Sequence, residues 1–335
     1  MDRDSVPSVE RVPHGSEPEA AGIDFSANVN PETPPGIEAA FQGSFADART
    51  YPDDTAPAYR RAAADYVDVD PGQVVPTPGG LAAIRLALSV TVSPGDSVLV
   101  PYPSFGEYAR EVRLQGGTPE FVPHDELLDT DPSGHALAIV CNPNNPTGEA
   151  ADPDRLREFV AESRAADTPV LVDEAFLGFT DQPTLAGTPG VIVARSLTKL
   201  FGLPGLRAGF AVSTGSLRDR LERARLTWNL GVPAMQVGTQ AMRATEFIDR
   251  TRKRVRQERA QLVATLEDHY EIAPSDAPFL LLEVDGSVAD LLAAARERGI
   301  VLRDARTFRG LDAHVRAAVR LPSENRRLEE VLLDV

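Results

Sequence analysis

Apolar and polar positions fall in alternating blocks along the chain, and the blocks read in turn as strands and helices. Short apolar runs bounded by Gly, Pro, Asn or Asp occur at 97–100, 136–141, 170–173, 191–195 and 208–213. Their length and β-branched content predict strands buried on both faces. Between them, apolar residues three and four apart predict helices over 80–92, 106–115 and 153–166. This alternation is the pattern of a mostly parallel sheet with helices on both sides. A helical period then runs from about 233 to 270, followed by FLLLEV, a helix near 288–298, HVRAAVRL and a last helix. That order predicts a separate α+β unit, with the boundary inside the long helix: a large domain over 46–245 and a small one over 246–335. Residues 1–45, spaced by proline and glycine, show too little periodicity for a core element and are expected to pack as an arm against the small domain.

Composition narrows the function classes. A chain of 335 residues with 42% hydrophobic content can bury a large core and a smaller companion. No run approaches the roughly 20 apolar residues of a membrane span, and MDRDSVPSVERVPHG has no apolar signal core, so no membrane partner and a cytoplasmic location are expected. The single cysteine, Cys141, leaves no internal disulfide, and five scattered histidines give no metal-ligand spacing. A net charge of −16 disfavours nucleic acid, and the basic run RTRKRVRQER at 250–259 reads as a solvated helix face.

Of the 34 basic residues only Lys199 and Lys253 are lysine. An acidic, lysine-poor chain fits a salt-rich cytoplasm, where screening tempers its self-repulsion. Lys253 lies in the charged helix and reads as a surface cation. Lys199 follows the buried strand pattern VIVARS and precedes LFGLPGLRAGF, which places it where a strand opens into a loop, the usual seat of chemistry in an α/β sheet. An amine there, with its pKa lowered by its surroundings, can condense with an aldehyde cofactor.

NPNNPTG at 142–148, DEAF at 173–176, and SLTK with an arginine eight residues beyond the lysine occur in that order. Together they resemble the fold-type-I aminotransferases, which work with pyridoxal 5'-phosphate, over nearly the whole chain. The resemblance implies an α/β fold of three α/β/α layers with a mostly parallel sheet plus a small α+β domain. It implies that Lys199 carries the cofactor, that Asp173 pairs with the ring nitrogen, and that Asn145 donates to the ring hydroxyl oxygen. Phe176 stands where many relatives have a tyrosine with the same task, so that hydrogen bond is expected to be missing. Phe105 resembles the aromatic residue stacked on the ring. Gly79, Gly80 and Leu81 at a helix start, Ser196 and Thr198 around Lys199, and Arg207 would hold the cofactor phosphate. Tyr51 would reach the phosphate in the neighbouring subunit, making a homodimer with shared active sites.

Two groups of small relatives fit: threonine-phosphate decarboxylases and histidinol-phosphate aminotransferases. His14-Gly15, DFSANVNP, DEAF, HVRAAVR and Trp228-Asn229-Leu230 lean toward the decarboxylases, although Thr227 and Gly231 depart from the last motif. Either reading calls for a small phosphorylated amino substrate, and the resemblance places His14, Asn28, Arg303 and Arg316 around its anionic groups. Arg320, four residues along the same strand, is the alternative to Arg316. A non-catalytic cofactor-binding domain is the third reading.

Overall fold

The computed structural model describes residues 1–15 and 22–334, so the part of the expected arm at 16–21 lies outside the described residues. In chain order the elements are β1 (Ile23–Asp24), α1 (Ile37–Asp47), α2 (Pro57–Val67), β2 (Val74–Thr77), α3 (Gly80–Thr91), β3 (Ser97–Tyr102), α4 (Glu107–Leu114) and β4 (Thr118–Pro123). There follow β5 (Leu137–Cys141), α5 (Pro153–Ala165), β6 (Val170–Asp173), β7 (Val191–Ser196), β8 (Gly209–Val212), α6 (Gly215–Ala224), α7 (Val232–Met242) and α8 (Thr245–Leu266). The chain closes with β9 (Glu271–Ile272), β10 (Phe279–Glu283), α9 (Val288–Glu297), β11 (Ile300–Val301), β12 (Arg303–Asp304), β13 (His314–Ala318) and α10 (Pro322–Leu333).

Seven strands form the large sheet in the order β2-β8-β7-β6-β5-β3-β4. The pairs from β4 to β7 are parallel, and β8 runs antiparallel to β7 and β2. Strand alternation sends side chains to two separate cores. Val170 and Val172 join the one that includes α2, α5, α7 and α8, and Leu171 joins the one with α3, α4 and α6. The result is three layers, α/β/α. It also fixes where Asp173 goes: two residues after Leu171, it faces the α3 and α4 side. A second, antiparallel sheet has the order β12-β13-β10-β9, and β1 pairs in parallel with β11.

The sequence pattern leaves α2, β4 and α6 without an expected element, and it differs from the structure at two further places. The single helix expected over 233–270 is two helices, broken at Arg243–Ala244 because α7 packs on α1 and α2 whereas α8 must turn to pack on α10. Across the end of the expected arm, residues 37–47 form a full helix, α1, against α7. Its periodicity is concealed because Phe41 and Phe45 point outward, 55% and 75% exposed. The first residues touch both sheets' surroundings: Asp2 N–H donates to Leu114 O at the end of α4 (2.8 Å), and Ile23 N–H to Gly299 O (2.8 Å). Among the described residues no helix is long and apolar enough to cross a membrane.

Candidate active site

A cavity of about 400 Å³ lies at the carboxyl ends of the parallel strands, between the large sheet, the antiparallel sheet and residues 12–15. Its wall carries Lys199, Arg207, Arg303 and Arg316 against one carboxylate, Asp173. A positive pocket in a chain of net charge −16 favours anionic ligands over the rest of the surface.

Lys199 follows β7 by three residues, held by its own carbonyl, which accepts from Asn30 N–H (3.0 Å). The residue as a whole is partly exposed, but its amine points into the pocket wall, 5.9 Å from the centre of the Phe176 ring. Burial, with the charges of Arg316 and Arg207 adding and Asp173 opposing, lowers its pKa to about 8. The amine is therefore part free base near neutrality.

Asp173 ends β6 and is 6% exposed. Its Oδ1 accepts Ala175 N–H (3.0 Å) and its Oδ2 accepts the Tyr108 hydroxyl (2.7 Å). Burial raises its pKa, opposed by the Tyr108 and Ala175 hydrogen bonds and by the Lys199 charge. A buried carboxylate in this state fits a cationic N–H brought by a ligand.

At the other end of the cavity α3 begins without a side-chain cap at Gly79, leaving its first N–H groups free for an anion. Gly79 has φ 97°, and a Cβ there would stand 2.7 Å from Arg207 Nη2, so only glycine lets the guanidinium close on the helix start. Arg207 itself sits in the left-handed region, φ 54°, a conformation costing a non-glycine residue about 1 kcal/mol and common at functional sites. Ser196 Oγ and Thr198 Oγ1 are 2.8 Å apart beside it, and Gly80 and Leu81 line the same wall. Helix N-terminus, hydroxyls and guanidinium together could hold a phosphate.

The third region belongs to the antiparallel sheet. Arg316 on β13 donates to Asn145 Oδ1 and to Ser26 O (2.9 Å for the latter), and Arg303 on β12 donates to Pro13 O (2.9 Å) and Thr307 Oγ1 (2.7 Å). Burial lowers Arg316 to about 9, with the Arg303 charge adding. Two buried atoms facing this region, Asn28 Oδ1 and Arg316 Nε, lack a hydrogen-bond partner among the described residues, which marks where a ligand's polar groups would be received. His14 closes the rim, its Nε2 3.0 Å from Glu107 Oε1 and its ring 5.8 Å from Phe105.

Of the residues expected from sequence, the structure brings together His14, Asn28, Gly80, Leu81, Phe105, Asn145, Asp173, Phe176, Ser196, Thr198, Lys199, Arg207, Arg303 and Arg316, with Gly79 behind Arg207. It does not bring in Tyr51, which is 79% exposed and stacked on Trp228 at 4.4 Å. Arg320 pairs with Glu324 and the Asp24 carbonyl, away from the cavity. Phe176 packs edge-on against Phe279 (5.1 Å). Sequence reasoning missed Tyr108 and Glu107, although both belong to the PSFGEY segment that supplied Phe105.

The family model "Aminotransferase class I and II" matches residues 20–332. A histidinol-phosphate aminotransferase of Archaeoglobus fulgidus is 30% identical over 322 residues, covering 93% of this chain and 99% of that protein. A provisionally named threonine-phosphate decarboxylase of Caldanaerobacter subterraneus is 31% identical over 328 residues, 91% of this chain and 88% of the relative. Histidinol-phosphate aminotransferase is the name that recurs among the sequence relatives. Among solved structures, L-threonine-O-3-phosphate decarboxylase from Porphyromonas gingivalis superposes with a TM-score of 0.85 at 24% identity, covering 93% of this chain and 98% of that one.

Proposed function

The chain belongs to the class I and II aminotransferase family, and within it we propose that the protein decarboxylates L-threonine O-3-phosphate to (R)-1-aminopropan-2-yl phosphate, a step of cobalamin biosynthesis. The family cofactor, pyridoxal 5'-phosphate, supplies when bound an electron sink for the carbanion left at the substrate's Cα. Lys199 would carry it, Asp173 would meet the ring nitrogen, Asn145 the ring hydroxyl and Phe105 one ring face. Gly79, Gly80, Leu81, Ser196, Thr198 and Arg207 would take its phosphate.

One observation carries the choice of substrate. Arg303 and Arg316 are cross-strand partners, buried side by side with no carboxylate paired to either among the described residues, and His14 stands at the same rim. Threonine phosphate brings two anionic groups, a carboxylate and a phosphate, to such a cluster; histidinol phosphate brings one. Bidentate arginine contacts to both ends would fix the orientation of the bond to be broken. Lys199, able to hold a proton near neutral pH, is the group suited to return one to Cα after carbon dioxide leaves. The second reading, histidinol-phosphate transamination with 2-oxoglutarate, is favoured by the names of the relatives.

The exposed apolar surface of Phe41, Phe45, Tyr51, Leu226 and Trp228 supports a homodimer in which Tyr51 serves the partner's site. We also retain a large domain over 46–245, a small one over 246–335, a cytoplasmic location and adaptation to salt. Incubation in molar salt with threonine phosphate should release carbon dioxide and aminopropanol phosphate with no keto-acid acceptor. Faster glutamate formation from histidinol phosphate and 2-oxoglutarate would give the aminotransferase reading instead.

A further inference from the structure

An aspartate serves a cationic ring nitrogen only while it stays ionised and aimed. Burial at Asp173 works against the first condition. Two donors work for it. The Ala175 N–H comes with the turn after β6 and would hold any aspartate there. The Tyr108 hydroxyl comes from another element, the first turn of α4. Tyr108 is 0% exposed, and its bond to Oδ2 is 2.7 Å long. The same ring meets Phe105 edge-on, centroids 5.5 Å apart at 84°. Phe105 lies three residues earlier in the chain, at the entry to α4.

We propose that Tyr108 is a positioning residue for the cofactor: its hydroxyl keeps the Asp173 carboxylate ionised and turned toward the ring nitrogen, while its ring braces Phe105 against the ring face. The inference rests on the roles given above to Asp173 and Phe105. One helical turn thereby sets two separate contacts to the same ring, which explains a fully buried tyrosine hydroxyl at this position where phenylalanine would pack as well. Burial, with the neighbouring Asp173 charge adding, drives the Tyr108 hydroxyl far above its ordinary range, so it stays a donor at every working pH.

The test is cofactor binding to Tyr108→Phe, Asp173→Asn and the double variant, measured by equilibrium dialysis, with the thermal midpoint of each cofactor-free protein as the check on folding. Tyr108→Phe keeps the contact with Phe105 and removes only the hydroxyl. Its Kd should rise about tenfold or more in the original background, and change little once Asp173 is already Asn, because the hydroxyl acts through the carboxylate. Equal losses in both backgrounds overturn the proposal. Should Asp173→Asn fail to fold, cofactor labelled with nitrogen-15 in the ring decides on Tyr108→Phe alone. A shift toward the unprotonated nitrogen is expected, and an unchanged shift overturns the proposal. No binding by the unsubstituted protein would instead sink the assignment of the site, and this inference with it.

Discussion

Arg303 and Arg316 stand directly opposite each other across the β12–β13 pair, two like charges in a position where like charges repel. Such a pair is tolerated at a site that receives an anion. Arg303→Gln should leave stability in urea within about 1 kcal/mol of the unsubstituted protein, because relief of repulsion offsets the lost bonds to Pro13 and Thr307. The same change should lower kcat/KM for threonine phosphate by about tenfold to a hundredfold. Unaltered kinetics would remove Arg303 from the substrate site.

Much of this site was legible because its chemistry sits at element ends that the hydrophobic pattern locates. Asp173 closes an apolar strand run, Lys199 follows another, and Gly79–Gly80 opens a helix. What the hydrophobic pattern could not supply was anything set by contacts between distant segments. The cross-strand pairing of Arg303 with Arg316 depends on the register of two strands, one only two residues long. The bond from Tyr108 to Asp173 spans 65 residues of sequence, and nothing in the aromatic-rich PSFGEY segment says which ring turns inward. The break between α7 and α8 was likewise hidden, since it is imposed by two different packing partners and not by a proline or glycine.

The depressed pKa of Lys199 has a consequence for stability. Its folded value of about 8 lies below the ordinary 10.5, so between those limits the unfolded chain binds more protons and stability rises with pH. Below about pH 8 the buried cation carries its full cost, on the order of 1–3 kcal/mol after allowing for solvent in the open pocket. Cofactor-free Lys199→Met should therefore be the more stable protein at pH 7, with the gap closing toward pH 10. Urea unfolding at both pH values checks this. A gap that stays constant with pH would mean the lysine titrates normally.

Tyr51 and Trp228 stack on each other at 4.4 Å while both remain exposed, an arrangement expected of a surface that a second subunit covers. If Tyr51 completes the partner's site, mixing Lys199→Ala chains with Tyr51→Ala chains should produce hybrid dimers with one intact site. Activity should then recover toward about a quarter of the unsubstituted level under random pairing. Hybrids that form and stay inactive would show that each site is built from one chain.

Among the described residues, His14 has one side-chain hydrogen-bond partner at the pocket rim. Its Nε2 lies 3.0 Å from Glu107 Oε1, and Arg110 holds the other oxygen of Glu107 at 3.1 Å while donating to the Glu10 carbonyl at 3.0 Å. The arm is therefore tied to α4 on one side and, through Pro13, to Arg303 on the other. If the arm brings His14 to the substrate, its loss should spare the cofactor, whose proposed contacts all lie elsewhere. His14→Asn should raise KM for threonine phosphate about tenfold, the size of one lost hydrogen bond to a charged group, and leave the affinity for pyridoxal 5'-phosphate unchanged. Glu107→Gln, which keeps the shape but weakens the tie, should give a smaller rise in KM and faster proteolytic cleavage within the arm. A fall in cofactor affinity in either variant would mean the arm supports the cofactor pocket itself.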